Sequence, residues 1–217
     1  MPQNESDILI LKPTPVFLSF LARQLPDIEL PDLNSLSEDY TAYTIQKQDT
    51  EEGTLDEIER HFSSMFRHEI RRVIGDKIHK EIEGTFLDFL CCFKFELHSQ
   101  IVIMESSIDE GQQLLCVKPR SVLLKWMKSS LEDQIDFTCV LEKINLAHLR
   151  ENATVLVKNF KRLSEIKPFI KNFYRPIFKA EMLRMCGHED QWPLVDSFQT
   201  FNRYFAVEVH TQLVHLQ

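Results

Sequence analysis

The sequence predicts an α+β fold: a small antiparallel sheet packed on a long amphipathic helix in the N-terminal half, followed by a helical C-terminal half. Three observations carry this prediction. Apolar residues recur every three or four positions from Leu55 to Ile82. Short runs of β-formers, "DILILK", "YTAYTIQKQ", "QIVIME" and "QQLLCVK", are bounded by turn residues. Beyond Pro119 the apolar spacing reads as helical to the end of the chain.

In order, "DILILK" (Asp7 to Lys12) reads as a strand ended by Pro13 and Pro15. Pro15 also suits the first turn of a helix capped by Thr14, which places Phe17, Phe20, Leu21 and Leu25 on one face before Pro26 stops it. "PDIELPDLNSLSE" reads as a loop, and "YTAYTIQKQ" as a strand. "TLDE" at Thr54 to Glu57 has the form of a capping box for the long helix, with Gly75 a weak point and Gly84 the expected stop. In "FLDFLCCFKFEL" the alternation favours a buried strand, with a second buried helix over Glu83 to Leu97 as the alternative.

The remaining β-like runs complete the sheet, with "SSIDEGQ" as a turn. "PRSVLLKWMKS" then starts the helical half, and Ser130 caps a helix to Arg150. A further helix from Ala153 is bent by Pro168 and Pro176 and capped by Gly187. In the last one Val195, Phe198, Phe201, Phe205, Val209, Leu213 and Leu216 keep helical spacing.

The chain has 217 residues, 43% of them hydrophobic, enough for one substantial core or two small ones. It is expected to form one compact domain over 1–217, or a mixed α+β part over 1–118 and a helical part over 119–217. No internal repeat is expected. The polar start "MPQNESD", the lack of a long apolar run and the scattered cysteines suit a cytoplasmic protein with free thiols and no membrane insertion.

The net charge of −8 is polarised. Residues 1–60 hold 13 acidic and 4 basic side chains, whereas Lys158 to Arg184 holds 8 basic and 2 acidic. With the chain acidic overall, this basic segment suits a negatively charged protein partner better than nucleic acid.

Candidate chemistry is sparse. Cys91 and Cys92 are adjacent, so on a strand they point to opposite faces, and no Cys-x-x-Cys occurs. They are expected to pack in the core. His61 and His68 stand seven apart on one helix, a spacing unsuited to one metal ion, and are expected on its solvated face. "CGHEDQW" is expected to be an ordinary loop at a helix end. No nucleophile elbow or phosphate-binding glycine loop is present. Neither a cofactor nor a metal is expected. The surviving enzymatic reading is a site assembled from dispersed residues, Cys186 or His188 with Glu69 or His98.

"PTPVFLSFLARQLPD", "EEGTLDEIERHFSSMFRHEIRR" and "FLDFLCCFKFELHSQIVIMESS" together span most of the N-terminal half, and their texture resembles the acidic adaptors of the Dot/Icm type IVB secretion system. The resemblance implies a protein without enzymatic activity. Such a protein joins small acidic chaperones such as IcmS on the tail of the DotL coupling ATPase and helps recruit effectors. It assigns no residue by position. An adaptor needs apolar surface for a partner to cover. Ile28, Leu30 and Leu33, or Phe201, Phe205 and Leu213, are the candidates for that surface, with Lys171 and Arg175 as cations facing an acidic partner.

Overall fold

Helices and two small mixed sheets make the chain α+β. The computed structural model describes residues 6–75, 82–104, 111–131, 144–186 and 189–216. They divide into two units. The first comprises residues 1–99, 109–111 and 210–217, and the second residues 100–108 and 112–209.

In the first unit the described elements are β1 (Ser6–Pro13), α1 (Pro15–Gln24), α2 (Leu33–Ser37), β2 (Thr41–Gln46) and α3 (Glu51–Ile74). The 20s and 30s of the chain, expected as pure loop, thus include the short α2, whose N-cap Asp32 accepts from the Ser35 amide at 2.7 Å. α4 (Phe86–Cys92) and β3 (Phe93–His98) follow, and β8 (Gln212–His215) completes a sheet ordered β3-β1-β2-β8. β1 is antiparallel to β2 and β3, and β8 runs parallel to β2. The core joins Leu9, Leu11 and Tyr43 of the sheet to Phe17 and Leu21 of α1, Met65 and Phe66 of α3, and Phe89 of α4. The Phe17 and Phe93 rings stand 4.7 Å apart, close enough for aromatic attraction to add to area burial.

α3 starts earlier and ends earlier than the sequence predicts. Thr50 caps it, accepting from the Gly53 amide at 3.0 Å, so Thr54 lies inside the helix and donates to the Thr50 carbonyl. Gly75 ends it at φ 67°, a conformation in which a side chain would be strained. Gly84 has another use: a Cβ there would come within 2.3 Å of the Phe66 ring. The opening half of "FLDFLCCFKFEL" is α4, not strand. Thr85 and Asp88 form its reciprocal capping box, which settles a run whose apolar pattern fitted either period.

In the second unit the described elements are β4 (Ile101–Ile103), β5 (Gln113–Pro119), α5 (Ser121–Leu131), α6 (Leu146–Arg150) and β6 (Val155–Lys158). α7 (Ile166–Met185), α8 (Phe198–Tyr204) and β7 (Phe205–His210) follow. The sheet order is β4-β6-β5-β7. The C-terminal half is therefore not uniformly helical. Ala153 onward opens as strand β6, and the expected final helix stops at Tyr204 before two strands. Phe205, Val207 and Val209 satisfy a period of two as well as the helical spacing, which is how that run misleads. Ser130 lies within α5, and the proposed helix after it falls largely outside the described residues, as does Gly187. α7 continues through Pro176.

The two units are copies of one pattern, contrary to the expectation of no repeat. Reversing the second sheet order gives β7-β5-β6-β4, which matches β3-β1-β2-β8 strand for strand. The parallel pairing agrees in register: Ala42 faces Leu213 and Tyr43 faces Val214, while Val155 faces Ile101 and Leu156 faces Val102. The antiparallel pairing agrees too, Ile10 with Ala42 and Cys116 with Val155.

The sequence follows the same correspondence. Phe86, Phe89, Phe93, Glu96, His98, Gln100 and Val102 recur 112 residues on as Phe198, Phe201, Phe205, Glu208, His210, Gln212 and Val214. Phe66, Glu69 and Arg72 recur at the same spacing as Phe178, Glu181 and Arg184. Contacts recur as well. Lys12 pairs with Glu96 as Lys118 does with Glu208. The Thr14 amide donates to the Cys92 carbonyl at 2.9 Å, and the Arg120 amide to that of Tyr204 at 2.8 Å.

Candidate functional site

What both copies share is scaffold; what they do not share is where function is best sought. The outer face of α3 carries His61, Ser64, Arg67, His68 and Arg71 where the corresponding face of α7 carries Phe173, Pro176, Lys179, Ala180 and Leu183, so that only the Arg67 and Lys179 position keeps a cation in both.

On the first unit this face is a basic pocket of about 520 Å³, lined by Tyr43 of β2, His61, Ser64, Arg67, His68 and Arg71 of α3, and Val214, His215 and Leu216 at the C-terminal end. The helical residues follow the three-to-four spacing that puts them on one side of α3. Among the described residues no carboxylate lines the pocket. Behind it, Glu69 is fully buried and accepts from the Tyr43 hydroxyl at 2.8 Å and from Arg72 Nε at 3.1 Å. Burial, followed by the Glu69 charge, raises the Tyr43 phenol far above its ordinary pKa, so it stays protonated. His61 Nε2 lies 3.4 Å from the buried Glu57 carboxylate. His68 packs edge-on to the Tyr43 ring, and the His215 Nδ1 lies 2.9 Å from the Thr44 hydroxyl. The Nε2 atoms of His68 and His215 are buried with no hydrogen-bond partner among the described residues. Sequence reasoning placed His61 and His68 on a solvated face; they are half-buried in this pocket instead. Sequence reasoning singled out neither Arg67 nor Arg71, whose helical spacing with His61 and His68 was the available signal, and it had no signal for His215, because only the β2–β8 pairing brings it there.

On the second unit the equivalent face is apolar and cationic. Phe169, Phe173, Pro176, Ala180 and Leu183 recur every three or four residues along α7. Phe173 is 41% and Leu183 49% exposed, large values for such side chains. The Phe169 and Phe173 rings stand 4.7 Å apart. Lys171, Arg175 and Lys179 are also exposed; by helical spacing Lys179 flanks the stripe and Arg175 and Lys171 lie progressively further round the helix, and Lys179 pairs with Glu189 at 2.7 Å. Lys171 and Arg175, expected as cations facing a partner, are both exposed.

The other expected surface residues fare differently. Phe201 and Phe205 are 0% exposed and Leu213 is 3% exposed, each in a core. No partner reaches them without unpacking the fold, so that patch is discarded. Ile28, Leu30 and Leu33 are half-buried, and Leu30 packs on the first core, so they offer only edges to a partner.

Cys92 is buried at the end of α4 with its thiol pushed up to about 12 by burial first and by Asp88 and Cys91 next. Cys91 faces solvent rather than the core. Of the residues in the dispersed enzymatic reading, the structure describes Glu69, His98 and Cys186. Glu69 is engaged by Tyr43 and Arg72, and His98 Nε2 lies 2.8 Å from Glu96. Cys186 belongs to the other unit and His188 lies outside the described residues.

Comparison of the chain with protein-family models, with curated proteins and with solved structures found no match.

Proposed function

We propose that the chain is a protein-binding adaptor that performs no reaction of its own and holds an acidic partner segment against α7. The supporting observation is an exposed apolar stripe on α7, Phe173, Pro176 and Leu183, flanked by Lys179, with the exposed Arg175 and Lys171 further round the same helix. Such a face complements an amphipathic helix whose apolar side is edged by carboxylates. Phe173 and Leu183 each leave a large part of an apolar side chain in solvent, which suits a surface that is covered in use.

The partners follow from the resemblance of the N-terminal half to Dot/Icm adaptors: a small acidic chaperone such as IcmS and the tail of the DotL coupling ATPase. In this reading the chain works in the cytoplasm, presenting effectors to the coupling complex. The test is reconstitution from purified parts. The chain mixed with the chaperone and the tail is expected to elute as one stoichiometric complex by size-exclusion chromatography with light scattering. The Phe173→Asp/Leu183→Asp variant is expected to elute free. Separate elution of the wild-type chain would reject these partners.

A further inference from the structure

We infer that the pocket on α3 binds a phosphoryl group, carried by a small organic phosphate monoester or as free phosphate. The first argument is the repeat itself. The second unit builds the same sheet and helix with Phe173, Pro176, Lys179, Ala180 and Leu183 where the first has His61, Ser64, Arg67, His68 and Arg71. The fold therefore does not require the basic set, and a separate reason for its presence in one copy is needed.

The second argument is the donor set. Arg67 and Arg71 are exposed, and no described carboxylate pairs with either. The Nε2 atoms of His68 and His215 are buried and unpartnered, a cost that a ligand oxygen would remove. The ring of His215 is held by the hydrogen bond between its Nδ1 and the Thr44 hydroxyl at 2.9 Å, which leaves Nε2 as its unpartnered nitrogen. Ser64 adds a hydroxyl. Two guanidinium forks and several single donors match a dianion with three acceptor oxygens better than a carboxylate with two. The pocket's volume of about 520 Å³ exceeds what phosphate alone fills, and Val214 and Leu216 offer apolar surface to the body of a monoester.

Titration calorimetry of the full chain, in a buffer free of phosphate, tests this with phenyl phosphate, inorganic phosphate and benzoate. Both phosphates are expected to bind saturably, and benzoate about tenfold or more weakly than phenyl phosphate. Tighter phenyl phosphate binding would identify an organic monoester as the ligand class, and equal affinities would identify free phosphate. The Arg67→Ala/Arg71→Ala variant is expected to lose about tenfold or more in affinity. Arg67→Lys/Arg71→Lys, which keeps both charges, is expected to lose less. Lys171→Ala/Arg175→Ala, on the other unit, is expected to change nothing. Absence of saturable heat from both phosphates would overturn the inference. So would benzoate binding as tightly as phenyl phosphate, or unchanged affinity in a folded Arg67→Ala/Arg71→Ala variant.

Discussion

Glu69 and Glu181 occupy the same position in the two units: each is fully buried and each accepts from the Nε of an arginine three residues later, at 3.1 Å and 3.2 Å. The arginine then reaches onward to a main-chain carbonyl, Arg72 to Asp39 at 2.7 Å and Arg184 to Leu149 at 2.8 Å. Each ion pair thus ties a long helix to the segment before a corresponding strand, β2 in the first unit and β6 in the second. The local partners differ: Glu69 also holds the Tyr43 hydroxyl, whereas Glu181 accepts from the Thr154 amide at 2.9 Å.

Removing either carboxylate leaves a largely buried guanidinium without its counter-charge. Glu69→Ala and Glu181→Ala are each expected to destabilise by about 3 kcal/mol in urea denaturation. A loss below about 1 kcal/mol, the range of exposed pairs, would contradict the shared structural role.

Asp7 is buried in β1, and burial raises its carboxyl above the ordinary value of 3.8 despite the Ser99 hydrogen bond and the Lys47 charge. A raised carboxyl means that the folded chain binds the proton more tightly than the unfolded one. Its penalty is absent below the unfolded pKa and complete above the folded pKa. Asp7→Asn is therefore expected to raise Tm at pH 7, with the gain shrinking to nothing as pH falls below about 4. A gain independent of pH would show that charge burial is not the cause.

Thiol labelling follows burial. Cys91 is exposed, whereas Cys92 is 1% exposed with its thiol pushed up to about 12, so little thiolate forms near neutral pH. Iodoacetamide at pH 8 is expected to modify Cys91 in the native chain and Cys92 only on unfolding, as read by peptide mass spectrometry. Equal labelling of both would place the end of α4 differently.

The α+β class, β1, α1, β2 and the long helix were legible because each combines one clear period with a proline, cap or turn residue at its edge. α4 and the strands after Tyr204 were not. In "FLDFLCC" and "FAVEVHTQLVH" apolar residues satisfy both periods, and capping by Thr85 and Ser197 decides where helix begins. The repeat was hidden for another reason. Its matching residues are sparse, and the offset drifts from 106 at Lys12 and Lys118 to 113 at Thr41 and Thr154 and 112 at Glu69 and Glu181. Periodicity searches do not compare a chain with itself at such distances. Lys171 and Arg175 were legible as exposed cations, whereas the pocket needed β8 to carry His215 to α3 from far along the chain.

The central claim, partner binding on α7, is tested most directly by lysine crosslinking of the chain in its native cell, followed by mass spectrometry. The expected result is one stoichiometric acidic partner crosslinked at Lys167, Lys171 or Lys179, and lost in the Phe173→Asp/Leu183→Asp variant while the fold remains intact. A chain that stays uncrosslinked at α7, or crosslinks that persist unchanged in that variant, would contradict it.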